Sequence, residues 1–248
     1  MLGCRLFFYQ AELNDIKMGK IGLISKSAYI RGLQCPKSLY LYKNNYSERE
    51  QPSPELLVRF QQGNHFGSLA WQLFPDGKDM TPKTQYPSTL LNAAEDVRNT
   101  LLQYQDLILY EATFCYRPFI CIMDMLVQQK GVLCAYEVKS SVNISPTYLN
   151  DVAYQYYVMS KAGFAPKQMN IVHLKEGVSL TENPTVEDIR ITDVTPQVLD
   201  LQTYVAEQTE KLLDALQTED TLLIQRGEQC ENPYHCDFVR YCSRHEKK

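Results

Sequence analysis

The chain has 248 residues, of which 44% are hydrophobic and 22% charged, and it carries a formal net charge of −4. This length and composition predict one large globular domain, or one domain with a small helical appendage. The acidic balance argues against a protein that coats nucleic acid through bulk charge, although it leaves a local basic surface open. The apolar patch near the N-terminus is too short for a signal sequence or a membrane span, so we expect a cytoplasmic protein without membrane contact.

The first predicted elements are two short helices in a basic segment. Ser25 predicts the N-cap of a helix that runs to about Gly32, and Pro36 the start of a second helix through Tyr42, with Cys35 at the junction. Residues 16–46 contain no acid and interleave basic residues with tyrosines, namely Lys17, Lys20, Lys26, Arg31, Lys37, Lys43, Tyr29, Tyr40, Tyr42 and Tyr46. This composition fits phosphate contact with base stacking. It also fits a helical hairpin with inward tyrosines and solvated lysines.

The rest of the chain predicts a mixture of helices and strands. Helical patterns lie at residues 56–74, 87–105, 146–162 and 196–217, and strand-like runs at 107–116, 119–127, 132–142 and 169–174. Short connections between the first three strands favour an antiparallel meander. There is no internal repeat, low-complexity stretch or Gly/Ser linker that would force two domains. The order of elements predicts an α/β fold of the α+β kind.

Charged residues interrupt the predicted strands in a pattern that fits a metal centre. Because successive side chains of a strand point to opposite faces, Glu137 and Lys139 are expected on the same face. Asp124 lies inside the apolar run of the preceding strand, and Glu111 inside the strand before that. Two carboxylates can hold a hard divalent cation that activates water, while the lysine orients the water or neutralises charge on a phosphate. An ordinary Glu/Lys pair on a solvated sheet face is the alternative.

The eight cysteines fall into two groups. A reducing cytosol disfavours disulfides, which favours reading spaced cysteines as metal ligands. Cys230, Cys236 and Cys242 are separated by five residues each, and Cys35 makes four. Four thiolates bind zinc as well as iron–sulfur clusters, although this spacing is not the C-x₂-C of a zinc ribbon. The other four cysteines show no ligand spacing: Cys4, Cys115, Cys121 and Cys134. The last three lie in predicted strands and are predicted to be buried apolar residues.

The acidic pattern and the cysteine layout together resemble one nuclease superfamily. Asp124, Glu137 and Lys139 match the PD-(D/E)-x-K pattern, with Glu111 on the strand upstream and Gln155 on the helix downstream. One cysteine far upstream and three near the C-terminal end are similar to the iron–sulfur nucleases of the RecB-like superfamily, which include the CRISPR-associated exonuclease and the AddB subunit. The stretches ISKSAYIRGLQCPKSLYLY and PYHCDFVRYC are especially similar to a group of single-domain bacterial members.

This resemblance implies a fold and a division of the chain. It implies a restriction-endonuclease-like core, in which a mixed central sheet is flanked by helices, with iron–sulfur-bound helical segments at the N- and C-terminal sides. Residues 23–248 then form the nuclease domain and residues 1–22 an N-terminal extension. The similarity covers most of the chain, from about residue 23 to residue 242.

The resemblance also implies a set of site residues. Mg²⁺ or Mn²⁺ would be bound by Asp124, Glu137 and the carbonyl of Val138. His65 would be a further ligand, or else a surface or capping histidine. Gln155 would contact the substrate strand or hold the lysine and acid in place. The chain departs from the family pattern at two positions. Met159 stands where a tyrosine is typical, which leaves the roles of Tyr156 and Tyr157 open, and Gly67 stands where a histidine is expected, which leaves the role of His65 open.

A [4Fe–4S] cluster bound by Cys35, Cys230, Cys236 and Cys242 is implied as a staple between the two ends of the domain. The implied function is cleavage of DNA phosphodiester bonds, from an end of a single strand. DNA that is single-stranded or has free ends is the expected partner, together with a helicase or a CRISPR-adaptation protein. Two alternatives stay open: a non-catalytic iron–sulfur or zinc DNA-binding module, and a redox or zinc protein in which the cysteines are the function.

Overall fold

The computed structural model describes residues 21–246. The greater part of the predicted N-terminal extension, with Cys4, Lys17 and Lys20, lies outside these residues. The helices are α1 (Lys26–Gln34), α2 (Pro36–Asn44), α3 (Pro54–Ala70), α4 (Pro87–Gln103), α5 (Pro146–Lys161), α6 (Thr195–Asp200), α7 (Gln202–Gln217) and α8 (Val239–His245). The strands are β1 (Lys78–Asp79), β2 (Leu107–Tyr116), β3 (Phe119–Gln129), β4 (Val132–Val138), β5 (Gln168–Leu174) and β6 (Ile189–Asp193).

The six strands form one mixed sheet in the order β1 to β6. Strands β2, β3 and β4 form the predicted antiparallel meander, and β4 and β5 pair in parallel on either side of α5. Lys130 and Gly131 both have positive φ, 50° and 75°, which suits the tight turn between β3 and β4. The predicted α/β class, with a mixed sheet flanked by helices, is confirmed.

Local sequence explains where several elements begin and end. The hydroxyl of Ser25 accepts a hydrogen bond from the backbone of Ala28, so the predicted cap of α1 is confirmed. Ser145 caps α5 in the same way, ahead of Pro146. The predicted helix at 196–217 is two helices, because the chain turns at Leu201. The strand predicted at 132–142 ends at Val138, and the short, mostly exposed strands β1 and β6 carry too few apolar residues to have been predicted.

Apolar side chains cover both faces of the sheet. The larger cluster joins the sheet to α1, α4, α5 and α7, and includes the stacked rings of Tyr29 and Tyr154. A smaller cluster around Phe66 and Met125 packs α3 on the other face. A third cluster joins α2 to α8 through Leu41 and Phe238. Among residues 21–246, no helix has both the length and the apolarity needed to cross a membrane.

Candidate active centre and cysteine site

Neighbouring strands bring the predicted acidic residues into one cleft. Met125 of β3 pairs with Tyr136 of β4, so the next residues along, Asp124 and Glu137, lie beside each other. The backbone nitrogen of Val138 donates to Oδ2 of Asp124 at 2.6 Å. Asp124, Glu137, Val138, Lys139 and Glu111 all line this cleft. The antiparallel register therefore gathers residues that are 28 positions apart at most.

Glu111 enters the cleft through an unusual backbone conformation. The β2–β3 register continues from Tyr110–Met125 to Ala112–Met123, and omits the residues between them, Glu111 and Asp124. Glu111 has a φ of 52°, which is uncommon for a residue with a side chain and is often found where function requires it. The local break in pairing places two carboxyl groups side by side.

Glu137 is the most strongly held of the three carboxylates. Its side chain is 1% exposed, and Oε1 accepts hydrogen bonds from Lys139 Nζ at 2.8 Å and from Lys26 Nζ. Its other oxygen, Oε2, accepts a hydrogen bond from Nε2 of Gln155 at 2.6 Å. Burial opposes ionisation, but the charges of Lys139 and Lys26 outweigh it and lower the pKa of Glu137 to about 2. This carboxylate is ionised and fixed.

The other two carboxyl groups, those of Asp124 and Glu111, ionise less readily than that of Glu137. Burial, followed by the negative charge of Glu137, raises the pKa of Asp124 to about 8 and that of Glu111 to about 7. The cleft lining includes three carboxyl side chains, and carboxylate oxygen is the ligand type that Mg²⁺ and Mn²⁺ prefer. The residues present therefore fit a hard divalent cation, whose charge would offset the crowding of negative groups.

Helix α5 supplies two further polar residues, one helical turn apart. Asp151 accepts a hydrogen bond from Lys139 Nζ. Gln155 bridges Glu137 and the carbonyl of Ile122, to which it donates at 3.1 Å. Gln155 thus lies in the centre and contacts the acid directly, while Asp151 gives the lysine a second anchor.

His65 is not brought to the cleft. Its side chain is exposed on α3. The residues of this helix that do line the cleft are its neighbours Gly63, Asn64, Gly67 and Ser68. Gly67, which stands where the resemblance predicts a histidine, lines the cleft without offering a side-chain ligand.

Three functional candidates escaped the sequence reasoning. Lys26 was predicted only as part of the basic segment, and nothing in the local sequence indicates that it reaches Glu137. Tyr148 lines the cleft, with its ring centre 5.0 Å from Nζ of Lys139. Tyr234 is 52% exposed. Burial, then the charges of Asp151 and Tyr148, raise the pKa of Tyr234, so it lies within electrostatic range of these two residues.

The basic segment does not form a free phosphate-binding surface in its described part. Arg31 pairs with Asp237, and Lys26 with Glu137. Lys37 and Lys43 donate to backbone carbonyls of residues 224 and 23. Neither sequence interpretation is right in full, because these side chains are neither available for phosphate nor simply solvated. Of the tyrosines, Tyr29 is fully buried and Tyr46 is 55% exposed.

The four predicted cysteine ligands line one pocket, together with Lys37 and Ser38. Cys35 lies between α1 and α2, Cys242 is in α8, and the backbone nitrogen of Cys236 donates to the carbonyl of Cys230 at 2.8 Å. Burial is the main cause that raises the pKa of Cys35 and of Cys242. All four are free thiols. Four thiols around one pocket are a donor set that suits an iron–sulfur cluster or zinc.

The remaining described cysteines are dispersed over the sheet. Cys121 is buried, as predicted, whereas Cys115 and Cys134 are only partly buried.

Within residues 21–246, no three or more His, Cys, Asp or Glu side chains are grouped closely enough to form a preassembled site for a metal ion.

Ion pairs join the cysteine-rich tail to the N-terminal helices. Asp237, next to Cys236, accepts hydrogen bonds from Arg31 and Arg49. Arg31 also donates to Ser38 at 2.9 Å, and the sulfur of Cys236 lies 3.4 Å from the Ser38 hydroxyl. The tail is therefore positioned by contacts other than those of the thiols themselves.

No protein-family model matches the chain, and no curated protein matches it.

Proposed function

We propose that the chain is a metal-dependent DNA nuclease of the RecB-like PD-(D/E)XK kind, with a restriction-endonuclease-like core. One observation carries the proposal: the β3–β4 register places Asp124 and Glu137 in one cleft with Lys139, and α5 adds Gln155. A meander followed by a helix and a parallel strand is the order that the proposed core requires. An ordinary surface Glu/Lys pair would not be 99% shielded from solvent at the acid.

Each residue has a defined role in this proposal. Asp124, Glu137 and the carbonyl of Val138 hold Mg²⁺ or Mn²⁺, and Glu111 adds negative charge beside them. The bound cation supplies Lewis acidity and lowers the pKa of a water molecule. Lys139, fixed by Asp151 and Glu137, holds a positive charge where charge develops on the phosphate. Gln155 keeps Glu137 oriented.

The four cysteines supply the second part of the proposal. Cys35, Cys230, Cys236 and Cys242 are proposed to hold a [4Fe–4S] cluster, which joins the α1–α2 corner to the tail. Closing a loop of this length restricts the unfolded chain and couples cofactor loading to folding. Purified protein should therefore be coloured and contain about four iron atoms per chain. Cys236→Ala should lose both the visible absorbance and solubility. Colourless protein with stoichiometric zinc would replace the cluster with a zinc site.

DNA with a free single-stranded end is the proposed substrate, and a helicase or a CRISPR-adaptation protein the proposed partner. The test is digestion of end-labelled single- and double-stranded DNA with Mg²⁺ or Mn²⁺. Asp124→Ala and Lys139→Ala should abolish cleavage, because each removes a charge that the phosphate chemistry needs. Asp200→Ala and Lys161→Ala change exposed residues of the same types and should cleave as wild type does.

Two results would contradict the assignment. Cleavage that is unchanged in both Asp124→Ala and Lys139→Ala would show that the reaction, if present, occurs elsewhere. DNA binding without cleavage under any divalent cation would identify the rival, a non-catalytic DNA-binding module. Separating the labelled products by length also distinguishes exonuclease from endonuclease action.

A further inference from the structure

Lys26 holds a position in the active centre that the proposed nuclease chemistry does not use. It is the first residue of α1, and its Nζ contacts Oε1 of Glu137. Lys139 donates to the same oxygen at 2.8 Å. The Lys26 side chain is 24% exposed and that of Glu137 1%. Two ammonium groups thus converge on one buried carboxylate oxygen.

The backbone that carries Lys26 is fixed to the sheet. The nitrogen of Ile24 donates to the carbonyl of Pro118 at 2.8 Å, and the nitrogen of Ile120 donates to the carbonyl of Ile24 at 2.9 Å. The hydroxyl of buried Tyr154 donates to the same carbonyl at 2.6 Å. Two residues later the chain enters α1. The reach of Lys26 into the centre is therefore set by the fold, and differs from that of a mobile surface lysine.

The two lysines differ in what holds them. Lys139 is also bonded to Asp151, so it keeps an anchor if Glu137 turns to another partner. In the described part of the chain, the only hydrogen-bond acceptor of the Lys26 ammonium is Glu137. A divalent cation that takes Oε1 as a ligand meets a positive charge already in place. Lys26 is the group that can leave, because its side chain is partly open to water.

We propose that Lys26 is a positioning residue that competes with the divalent cation for Oε1 of Glu137, and so sets the metal concentration at which the centre is loaded. This inference rests on the proposed function for the identity of the cation site. Before loading, Lys26 contacts Oε1 of Glu137 and keeps this side chain oriented. On loading, its ammonium leaves the oxygen for the water that already reaches its side chain.

The test measures Mn²⁺ binding to the full chain without DNA, from the paramagnetic resonance of free Mn²⁺. Lys26→Met and Lys26→Gln remove the competing charge and should bind Mn²⁺ about tenfold more tightly. Lys26→Arg keeps the charge and should stay close to wild type. Lys161→Met, which removes an exposed lysine of α5, controls for net charge. In cleavage assays the Mg²⁺ concentration for half-maximal rate should fall in parallel in Lys26→Met.

The outcomes separate this inference from the nuclease proposal. Mn²⁺ affinity that is unchanged or weaker in both Lys26→Met and Lys26→Gln overturns the inference, as does a wild-type chain that binds no Mn²⁺. If wild type cleaves DNA while these variants show no shift, the nuclease proposal stands and the competition fails. If the affinity shift appears in a protein that never cleaves DNA, the competition stands and the nuclease proposal fails. Using two neutral replacements guards against one that fails to fold.

Discussion

The Arg31–Asp237 ion pair should contribute substantially to the free energy of unfolding. Asp237 accepts hydrogen bonds from two nitrogens of Arg31, one of them at 2.9 Å, and one from Arg49. The side chains of the pair are only 19% and 18% exposed. Asp237→Asn removes the negative charge and leaves two guanidinium groups facing an amide, so we expect a loss of stability.

The size of the effect follows from burial and geometry. A hydrogen bond to a charged group contributes about 1.5–3 kcal/mol, and bidentate pairs are at the stronger end. Allowing for the solvent that reaches the pair, Asp237→Asn should cost roughly 2–3 kcal/mol, and the coupling energy between Arg31 and Asp237 should be about 1–2 kcal/mol. A loss of this size is a large part of the total stability of an ordinary domain.

The chain provides a matched control for this measurement. Arg244 and Glu48 join the same two regions, the tail and the N-terminal helices, but their side chains are 62% and 39% exposed. Urea unfolding followed by circular dichroism gives both double-mutant cycles, Arg31→Met with Asp237→Asn and Arg244→Met with Glu48→Gln. The exposed pair should show a coupling of at most about 0.5 kcal/mol. A coupling energy between Arg31 and Asp237 that is no larger than the one between Arg244 and Glu48 would refute the reasoning.

The same pair has a predictable pH dependence. Burial opposes ionisation of Asp237, but Arg31 and Arg49 prevail and hold its pKa below the usual value. The stabilisation is therefore present above the unfolded pKa of about 3.9 and is lost as the pH falls through the lower folded pKa. The difference in stability between wild type and Asp237→Asn should be constant near neutral pH and shrink in acid. A difference that grows in acid would contradict this sign.

Three further predictions concern the centre and the sheet. Gln155→Leu removes the 2.6 Å hydrogen bond to the buried glutamate and should lower the single-turnover cleavage rate about tenfold or more, with unfolding curves showing a retained fold. Tyr234→Ala removes an exposed ring within electrostatic range of Asp151 and Tyr148, and should weaken binding of a short single-stranded DNA by about 1–3 kcal/mol in fluorescence titrations, while cleavage at saturating DNA is kept. Gly77→Ala places a Cβ 2.3 Å from the ring of Tyr110 and should destabilise by about 1–3 kcal/mol in thermal unfolding. Gly67→Ala, whose Cβ meets no atom within 4 Å, should leave stability unchanged or raise it.

Alternation along strands and the order of elements predict much of the fold and of the centre. The apolar run around Asp124 and the E-V-K that contains Glu137 are local patterns. The antiparallel pairing of their two strands brings them together and does not depend on contacts with distant parts of the chain. The two strand patterns depend on short-range periodicity, which a single sequence displays. Gln155 was implied by the family resemblance, because periodicity places its helix after β4 but does not single out that residue.

Features that depend on distant contacts could not be predicted in the same way. Lys26 and Glu137 are 111 positions apart, and the basic segment around Lys26 offers many lysines with no sign of which one is buried. The left-handed backbone of Glu111 depends on the pairing of β2 with β3, since nothing in the sequence LILYEATF marks a break. His65 was expected at the centre by analogy, but its position on α3 faces solvent, and helix periodicity gives that face to Gly63 and Gly67.

The chain distance between Arg31 and Asp237 has a consequence for synthesis. The pair is separated by 206 residues, and every strand of the sheet lies between them. At about 5–20 residues per second, a ribosome needs roughly 10–40 seconds to deliver Asp237 after Arg31. During that interval α1, and Cys35 directly after it, have been synthesised without the C-terminal segment that contacts them. We therefore expect nascent chains to be most vulnerable to proteases in this window, and prematurely terminated chains to be degraded rather than to accumulate as partly folded protein.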